Sequence, residues 1–121
     1  MNTQKIKSYK DLIVWQKGYE LVRVIYKITS KLPQSEIFAL QSQIRRAAIS
    51  VVSNIAEGSH RKTQIDYRHF LHMAYGSAGE VETQLFLCRD LYKIEITEAL
   101  SLLEEVSKML RAIINKLEPS N

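Results

Sequence analysis

Apolar positions between Glu36 and Gly58 repeat with the spacing of an α-helix and fall on two stripes. Steps of three and four residues, at about 100° per residue, place each stripe on one side of the helix. The first stripe consists of Ile37, Leu40, Ile44, Ala48, Val51 and Ile55. The second, rotated by roughly 100 to 120°, consists of Phe38, Ile49, Val52 and Ala56. A helix with two apolar stripes must be covered from two sides. We therefore assign the first stripe to a bundle core and the second to extra core or, preferably, an oligomer interface.

Three further stretches of the chain have the same helical periodicity. Pro33 is expected to end the first helix and Gly58 the second, because proline cannot continue a helix and glycine tolerates a positive φ. Helix starts are predicted from hydroxyl side chains that cap free backbone amides, at Ser8, Thr63 and Thr97. The predicted helices span about 9–32, 36–58, 63–93 and 97–118.

The third predicted helix carries Gly76 and Gly79 in its middle. Each mid-helix glycine costs about 1 kcal/mol relative to alanine, so we expect a close helix approach to compensate. The connections between all four helices are short, and a loop of a few residues cannot return along a helix. The sequence therefore predicts one all-α domain over residues 1–121, an up-down-up-down antiparallel four-helix bundle.

Composition and charge narrow the class of protein. The chain is 45% hydrophobic and 25% charged, as in ordinary soluble domains. Its lone cysteine, Cys88, fits a reducing compartment, and no apolar run approaches the length of a membrane span, so we expect a cytoplasmic protein. Residues 1–72 hold 12 Lys and Arg against 5 acids, whereas residues 73–121 hold 5 against 8. The first part is therefore a candidate surface for an anionic partner.

Basic side chains are densest on the second helix and at its junction with the third. The candidate nucleic-acid-binding residues are Arg45, Arg46, His60, Arg61, Lys62 and Arg68. Lys and Arg contacts to phosphates carry no base specificity, so the predicted binding is salt-dependent and nearly indifferent to sequence. No recognition-helix motif, RNA-binding signature or zinc spacing is present. A solvated basic surface without a ligand is the alternative interpretation.

Polar residues on the second and third helices permit two interpretations. A structural hydrogen-bonded cluster that fixes helix register is predicted from Asn54, Glu57, Glu80, Thr83 and Gln84. The alternative is a catalytic carboxylate pair of Glu57 with Glu80 or Glu82, for which no nucleophile or phosphate loop is present.

The histidines of the third predicted helix raise the question of a metal-dependent or hydrolytic enzyme. Asp66, His69 and His72 step by three residues, so Asp66 and His72 lie some 240° apart around a helix and cannot converge on one metal unaided. We expect no metal, cofactor or catalytic residue. A metal-dependent or hydrolytic enzyme using these three residues remains the alternative.

Three motifs carry a resemblance to a known family. They are Tyr9-Lys-Asp-Leu-Ile-Val-Trp15, Ser53-Asn-Ile-Ala-Glu-Gly58, and Gly76-Ser followed by Glu82-Thr-Gln-Leu85. In order and spacing they resemble the bacterial four-helix-bundle family of 23S rRNA intervening-sequence proteins. The resemblance implies a reading frame of the kind found inside intervening sequences of ribosomal RNA genes, with no established enzymatic activity.

That family is also similar to the accessory variability protein of diversity-generating retroelements. This second likeness implies a basic, ring-shaped homopentamer that works with a reverse transcriptase and nucleic acid. The sequence and the resemblance together predict a non-enzymatic homo-oligomeric scaffold with a basic surface. Its expected partners are further copies of itself and RNA, DNA or a nucleic-acid enzyme, with no membrane.

Overall fold

The computed structural model describes residues 7–118, which form four α-helices and no strand. The helices are α1 Ile13–Thr29, α2 Leu40–Ser59, α3 Gln64–Tyr92 and α4 Thr97–Lys116, and short 3-10 helices cover Tyr9–Asp11 and Gln34–Glu36. Each helix packs against its neighbour in sequence, and α1 packs against α4 to close the bundle. The predicted all-α, four-helix-bundle architecture is confirmed.

The core is built from all four helices, each of which turns one apolar stripe inward. Fully buried side chains include Leu21, Ile25, Ile44, Ile55, Leu71, Leu85, Leu103 and Leu110. From the predicted core stripe of α2, Ala48 and Val51 are also fully buried, whereas Ile37 is 38% exposed. Burying each large side chain contributes about 1.5–3 kcal/mol, which makes this apolar interior the main source of stability. Within residues 7–118, no helix is both long and apolar enough to cross a membrane.

The start of α2 differs from the prediction. The helix begins at Leu40 rather than Glu36, because Ala39 has φ −121° and ψ −104°, which interrupts helical geometry. Glu36 holds this corner in place: its Oε1 accepts the Leu40 N–H at 3.3 Å, and its Oε2 accepts the Tyr92 hydroxyl of α3. Phe38 therefore lies outside α2, and its assignment to a helical stripe was wrong.

The bounds of α1, the end of α2 and the start of α4 also differ from the prediction. The first of these helices covers Ile13–Thr29 rather than about 9–32, so it ends before Pro33 is reached. Gly58 does not terminate α2, since the helix continues to Ser59 and no described glycine has a positive φ. Thr97 is the first residue of α4 rather than its cap; its N–H donates to the Glu95 carboxylate at 3.0 Å. The cap at Thr63 forms as predicted, whereas Ser8 caps a 3-10 helix rather than α1. Thr63 accepts the Asp66 N–H at 3.1 Å, and the Ser8 capping box opens the 3-10 helix before α1.

The glycines of α3 do not mediate a helix crossing in the described chain. A β-carbon placed on Gly76 or Gly79 would meet nothing within 4 Å. The two residues between them make the approach to α2 instead: Ser77 and Ala78 are buried, and the Ser77 hydroxyl donates to Ser50 Oγ at 2.9 Å. The prediction of a close approach at the glycines was therefore wrong, although the small residues between them serve that purpose.

Candidate functional site

The turn between α2 and α3 presents three of the predicted nucleic-acid-binding residues to solvent, namely His60, Arg61 and Lys62. We call these three residues the basic turn. His60 Nδ1 donates to the Ala56 carbonyl at 2.9 Å, so the imidazole is fixed at the end of α2. The Arg61 guanidinium lies 2.8 Å from Glu57 and 4.5 Å above the Phe70 ring. Because the Arg61–Glu57 pair is exposed and contributes little, it leaves the guanidinium available to a stronger anion.

Two predicted binding residues instead hold the ends of helices. Arg45 donates from Nε to Thr29 Oγ1 at 3.0 Å and from Nη2 to the Tyr26 carbonyl at 3.2 Å, at the end of α1. Arg68 donates to the Ile114 carbonyl of α4 at 3.1 Å. The last carbonyls of a helix are open to donors from outside it, and here each arginine adds a second donor beside a backbone N–H, that of Ser30 or Leu117. These two residues therefore have structural partners that the charge pattern alone did not reveal.

The sixth predicted residue, Arg46, lies in a groove between α2 and α3. This groove has a volume of about 550 Å³, and Phe38 stands at its edge. Arg46 is on the α2 side and Glu80 is on the α3 side, and neither takes part in an ion pair within residues 7–118. The rest of the lining is small or polar: Ser42, Gln43, Ala47, Ser50 and Ser77.

The predicted oligomer-interface residues divide between two faces. Phe38 is 95% exposed at the α2–α3 groove, an unusual position for a large apolar side chain. Val52 and Ala56 are half-buried, and Val52 packs on Gly18 of α1, where an added β-carbon would lie 2.8 Å from Val52 Cγ1. Ile49 lies between these faces and is 40% exposed. The second stripe of α2 is thus partly core and partly open surface.

The predicted structural polar cluster has a different membership. Asn54 Nδ2 donates to the Ser50 carbonyl at 2.9 Å and to Ser50 Oγ at 3.0 Å. Ser50 also accepts from Ser77, so the three residues link α2 to α3. Both serines were absent from the predicted cluster, because their hydroxyls carry no charge and fit a solvated strip equally well.

The other four members of the predicted cluster lie elsewhere. Glu57 is paired with Arg61, and Glu80 lines the groove beside Phe38. Thr83 donates to the Gly79 carbonyl at 3.2 Å, one turn back along α3. Gln84 Oε1 is buried without a hydrogen-bond partner in the described chain. Only Asn54 therefore belongs to the hydrogen bonds that join α2 and α3.

The carboxylates and histidines considered for catalysis are not assembled into one site. Glu82 lines a separate groove between α3 and α4, on the other flank of α3 from Glu80. Asp66, His69 and His72 are all exposed, and within residues 7–118 no three His, Cys, Asp or Glu side chains are arranged to hold a metal. These side chains are spread over separate exposed faces of the helices, as ordinary surface residues are.

Comparisons with known proteins place the chain in a family. The family model of the 23S rRNA-intervening sequence protein matches residues 10–115. A crystal structure from Bacteroides thetaiotaomicron, of a protein with unknown function from the S23 ribosomal protein family, is 27% identical with a TM-score of 0.72. That match covers 84% of this chain and 98% of the other. Among curated proteins, no sequence matches significantly. Because the family model spans all four helices, this chain belongs to the 23S rRNA-intervening sequence protein family.

Proposed function

We propose that this protein is a non-enzymatic, homo-oligomeric scaffold that associates with RNA, DNA or an enzyme acting on nucleic acid. The exposure of Phe38 carries the proposal: its side chain is 95% exposed beside the α2–α3 groove. A single exposed apolar side chain is common on protein surfaces, but this ring stands beside an unfilled groove, where a partner could bury both. The scaffold acts in the cytoplasm.

The groove beside Phe38 has features that suit a second copy of the chain. Arg46 and Glu80 line its two sides with opposite charges, so Arg46 of one copy can pair with Glu80 of the next across the interface. The small side chains of Ser42 and Ala47 leave room for an inserted ring. Insertion of Phe38 of one copy into the groove of the next is a head-to-tail contact, which closes into a symmetric ring where the rotation between copies permits. The number of copies, five in a ring, is taken from the likeness to the accessory variability protein.

The basic turn supplies the nucleic-acid surface of the scaffold. In a symmetric assembly each copy contributes its own His60, Arg61 and Lys62, so a modest charge cluster is multiplied into a polyvalent surface. Binding through these groups releases counterions from the phosphate backbone and weakens as salt rises.

Phe38→Glu tests the assembly. Light-scattering mass on a sizing column should be about five times the 14.0 kDa chain mass for the wild type and smaller for the variant. The variant should fold normally, because a side chain that is 95% exposed contributes little to the monomer. The matched control is Ile65→Glu, at an apolar position 73% exposed on α3, which should leave the mass unchanged. Wild-type protein of monomer mass would refute the oligomer, and an oligomer unaffected by Phe38→Glu would refute the interface.

Arg61→Glu combined with Lys62→Glu tests the nucleic-acid surface. Losing two phosphate contacts should lower affinity and reduce the slope of log affinity against log salt by about 1.5. The control makes the same charge change at the opposite end of the bundle, Lys27→Glu with Lys31→Glu, and should change affinity less. Equal affinity for wild type and the basic-turn variant at every salt concentration would remove that turn from the binding surface.

A further inference from the structure

The outer surface along the line where α1 packs against α2 carries aromatic side chains on α1 and a basic residue on α2. Trp15, Tyr19 and Tyr26 form its α1 side, since steps of four and seven residues return to one face of a helix. Arg45, Ile49 and Val52 form its α2 side by the same spacing. The close packing of Val52 on Gly18 brings the two helices together along this line. We call this surface the α1–α2 furrow.

Aromatic rings are stacked at one end of the furrow. The ring centroids of Trp15 and Tyr19 are 5.1 Å apart with planes tilted by 34°. Tyr9 meets Trp15 edge to face at 5.2 Å and meets His60 of the basic turn at 5.5 Å. These contacts fix the ring positions and leave Tyr19, which is 51% exposed, as the outer member of the series. The stack therefore connects the furrow directly to the basic turn.

A second exposed ring lies farther along the furrow. Tyr26 is 41% exposed, and the Arg45 guanidinium lies 4.3 Å from its ring centroid. Because Arg45 is also bonded to the end of α1, its positive charge is held beside this ring. Trp15 and Tyr26 are separated by about 16 Å along α1 at 1.5 Å per residue. The furrow thus has a fixed arginine at one end and the basic turn at the other.

We infer that the α1–α2 furrow binds a single-stranded nucleic acid, with bases stacked on Tyr19 and Tyr26 and phosphates held near Arg45 and the basic turn. This inference rests on the proposed nucleic-acid association and specifies its substrate class. Exposed aromatic rings alternating with basic groups are the usual means of binding single strands, because every unpaired base has a free face for stacking. In a duplex those faces are covered by neighbouring bases. Stacking does not distinguish RNA from DNA.

The furrow remains open in the proposed assembly. The interface built around Phe38 lies on the α2–α3 side of α2, whereas the furrow lies on its α1 side. Each copy of an oligomer therefore offers one furrow to a strand, and several copies bind a longer strand with greater avidity.

Trp15 provides a direct signal for binding, because it is the only tryptophan of the chain and belongs to the ring stack. Full-length protein is titrated with oligouridylate, with oligothymidylate and with a DNA duplex of the same length. Either single strand should quench Trp15 fluorescence and bind more tightly than the duplex. If oligouridylate and oligothymidylate quench Trp15 equally, base stacking alone accounts for recognition. If oligouridylate binds more tightly, the protein also contacts the ribose 2′-hydroxyl.

Tyr19→Ala and Tyr26→Ala should each weaken single-strand binding about fivefold or more, the effect of losing one stacked base. Tyr19→Phe and Tyr26→Phe keep a ring and should bind like the wild type. The control variant Ile65→Ala removes an exposed apolar side chain from α3 and should leave affinity unchanged. Circular dichroism and light-scattering mass are recorded for each variant.

The outcomes separate this inference from the function on which it rests. Strands that bind without quenching Trp15, and equally well to both alanine variants, would overturn the furrow while leaving the basic turn as the binding surface. A change in oligomer mass with Tyr19→Ala would show that the furrow is a contact between copies and would also overturn it. Failure of every nucleic acid to bind wild-type protein would overturn the proposed association itself.

Discussion

Two pairs of glycines show how differently the same residue is used in this bundle. Gly18 and Gly58 lie where helices cross: an added β-carbon would stand 2.8 Å from Val52 and 2.9 Å from Phe70, respectively. Gly76 and Gly79 lie on the outer face of α3 with open space around them. Every mid-helix glycine costs helix stability, but only the first pair gains packing within the chain in return. A glycine in a helical pattern therefore does not identify a crossing until its neighbours are known.

Gly58→Ala should have the largest effect on stability. The new methyl group would meet Phe70 Cβ at 2.9 Å and the Tyr67 backbone oxygen at 3.3 Å, atoms that cannot move without shifting α3. Overpacking of this kind costs about 1–3 kcal/mol, more than the gain in helix propensity. Urea unfolding at a fixed protein concentration measures the change. An unchanged or higher unfolding free energy would show that the crossing at Gly58 has room to spare.

Gly79→Ala should have a smaller effect of the opposite sign. With nothing within 4 Å of the added carbon, the variant should gain roughly 0.5–1 kcal/mol of unfolding free energy from reduced backbone entropy of the unfolded chain. Gly76→Ala provides a replicate in equivalent surroundings. A loss of stability at both positions in the same urea experiment would reveal a partner packed on the outer face of α3 and would end the contrast with Gly58.

The core of each helix could be predicted from sequence because it depends on local periodicity. Ile44, Ala48, Val51 and Ile55 lie on one stripe of α2, and all four are fully buried. The caps at Ser8 and Thr63 could be predicted for the same reason, since a capping residue and its target are only a few positions apart. These features require no knowledge of which helix packs against which.

Features that join distant parts of the chain could not be predicted from local periodicity. The Tyr92–Glu36 hydrogen bond spans 56 residues and accompanies a start of α2 four residues later than predicted. The Ser77–Ser50 bond spans 27 residues and joins two serines, a residue type that is common on any exposed helix face. Arg45 and Arg68 were recognised as basic, but a sequence does not show that the ends of α1 and α4 lie beside them. The candidate site was consequently predicted less well than the fold.

The bonds of Glu36 to Leu40 and Tyr92 have a consequence for the cost of assembly. They anchor the corner that carries Phe38 to both α2 and α3, so the backbone there is already ordered before any partner arrives. A partner that buries the phenylalanine then restricts little more than the torsions of one side chain, whereas an untethered loop would lose backbone entropy as well. The same anchor links the proposed assembly to the end of α3, because fraying of that helix would break the Tyr92–Glu36 bond and free the corner that holds Phe38 in place.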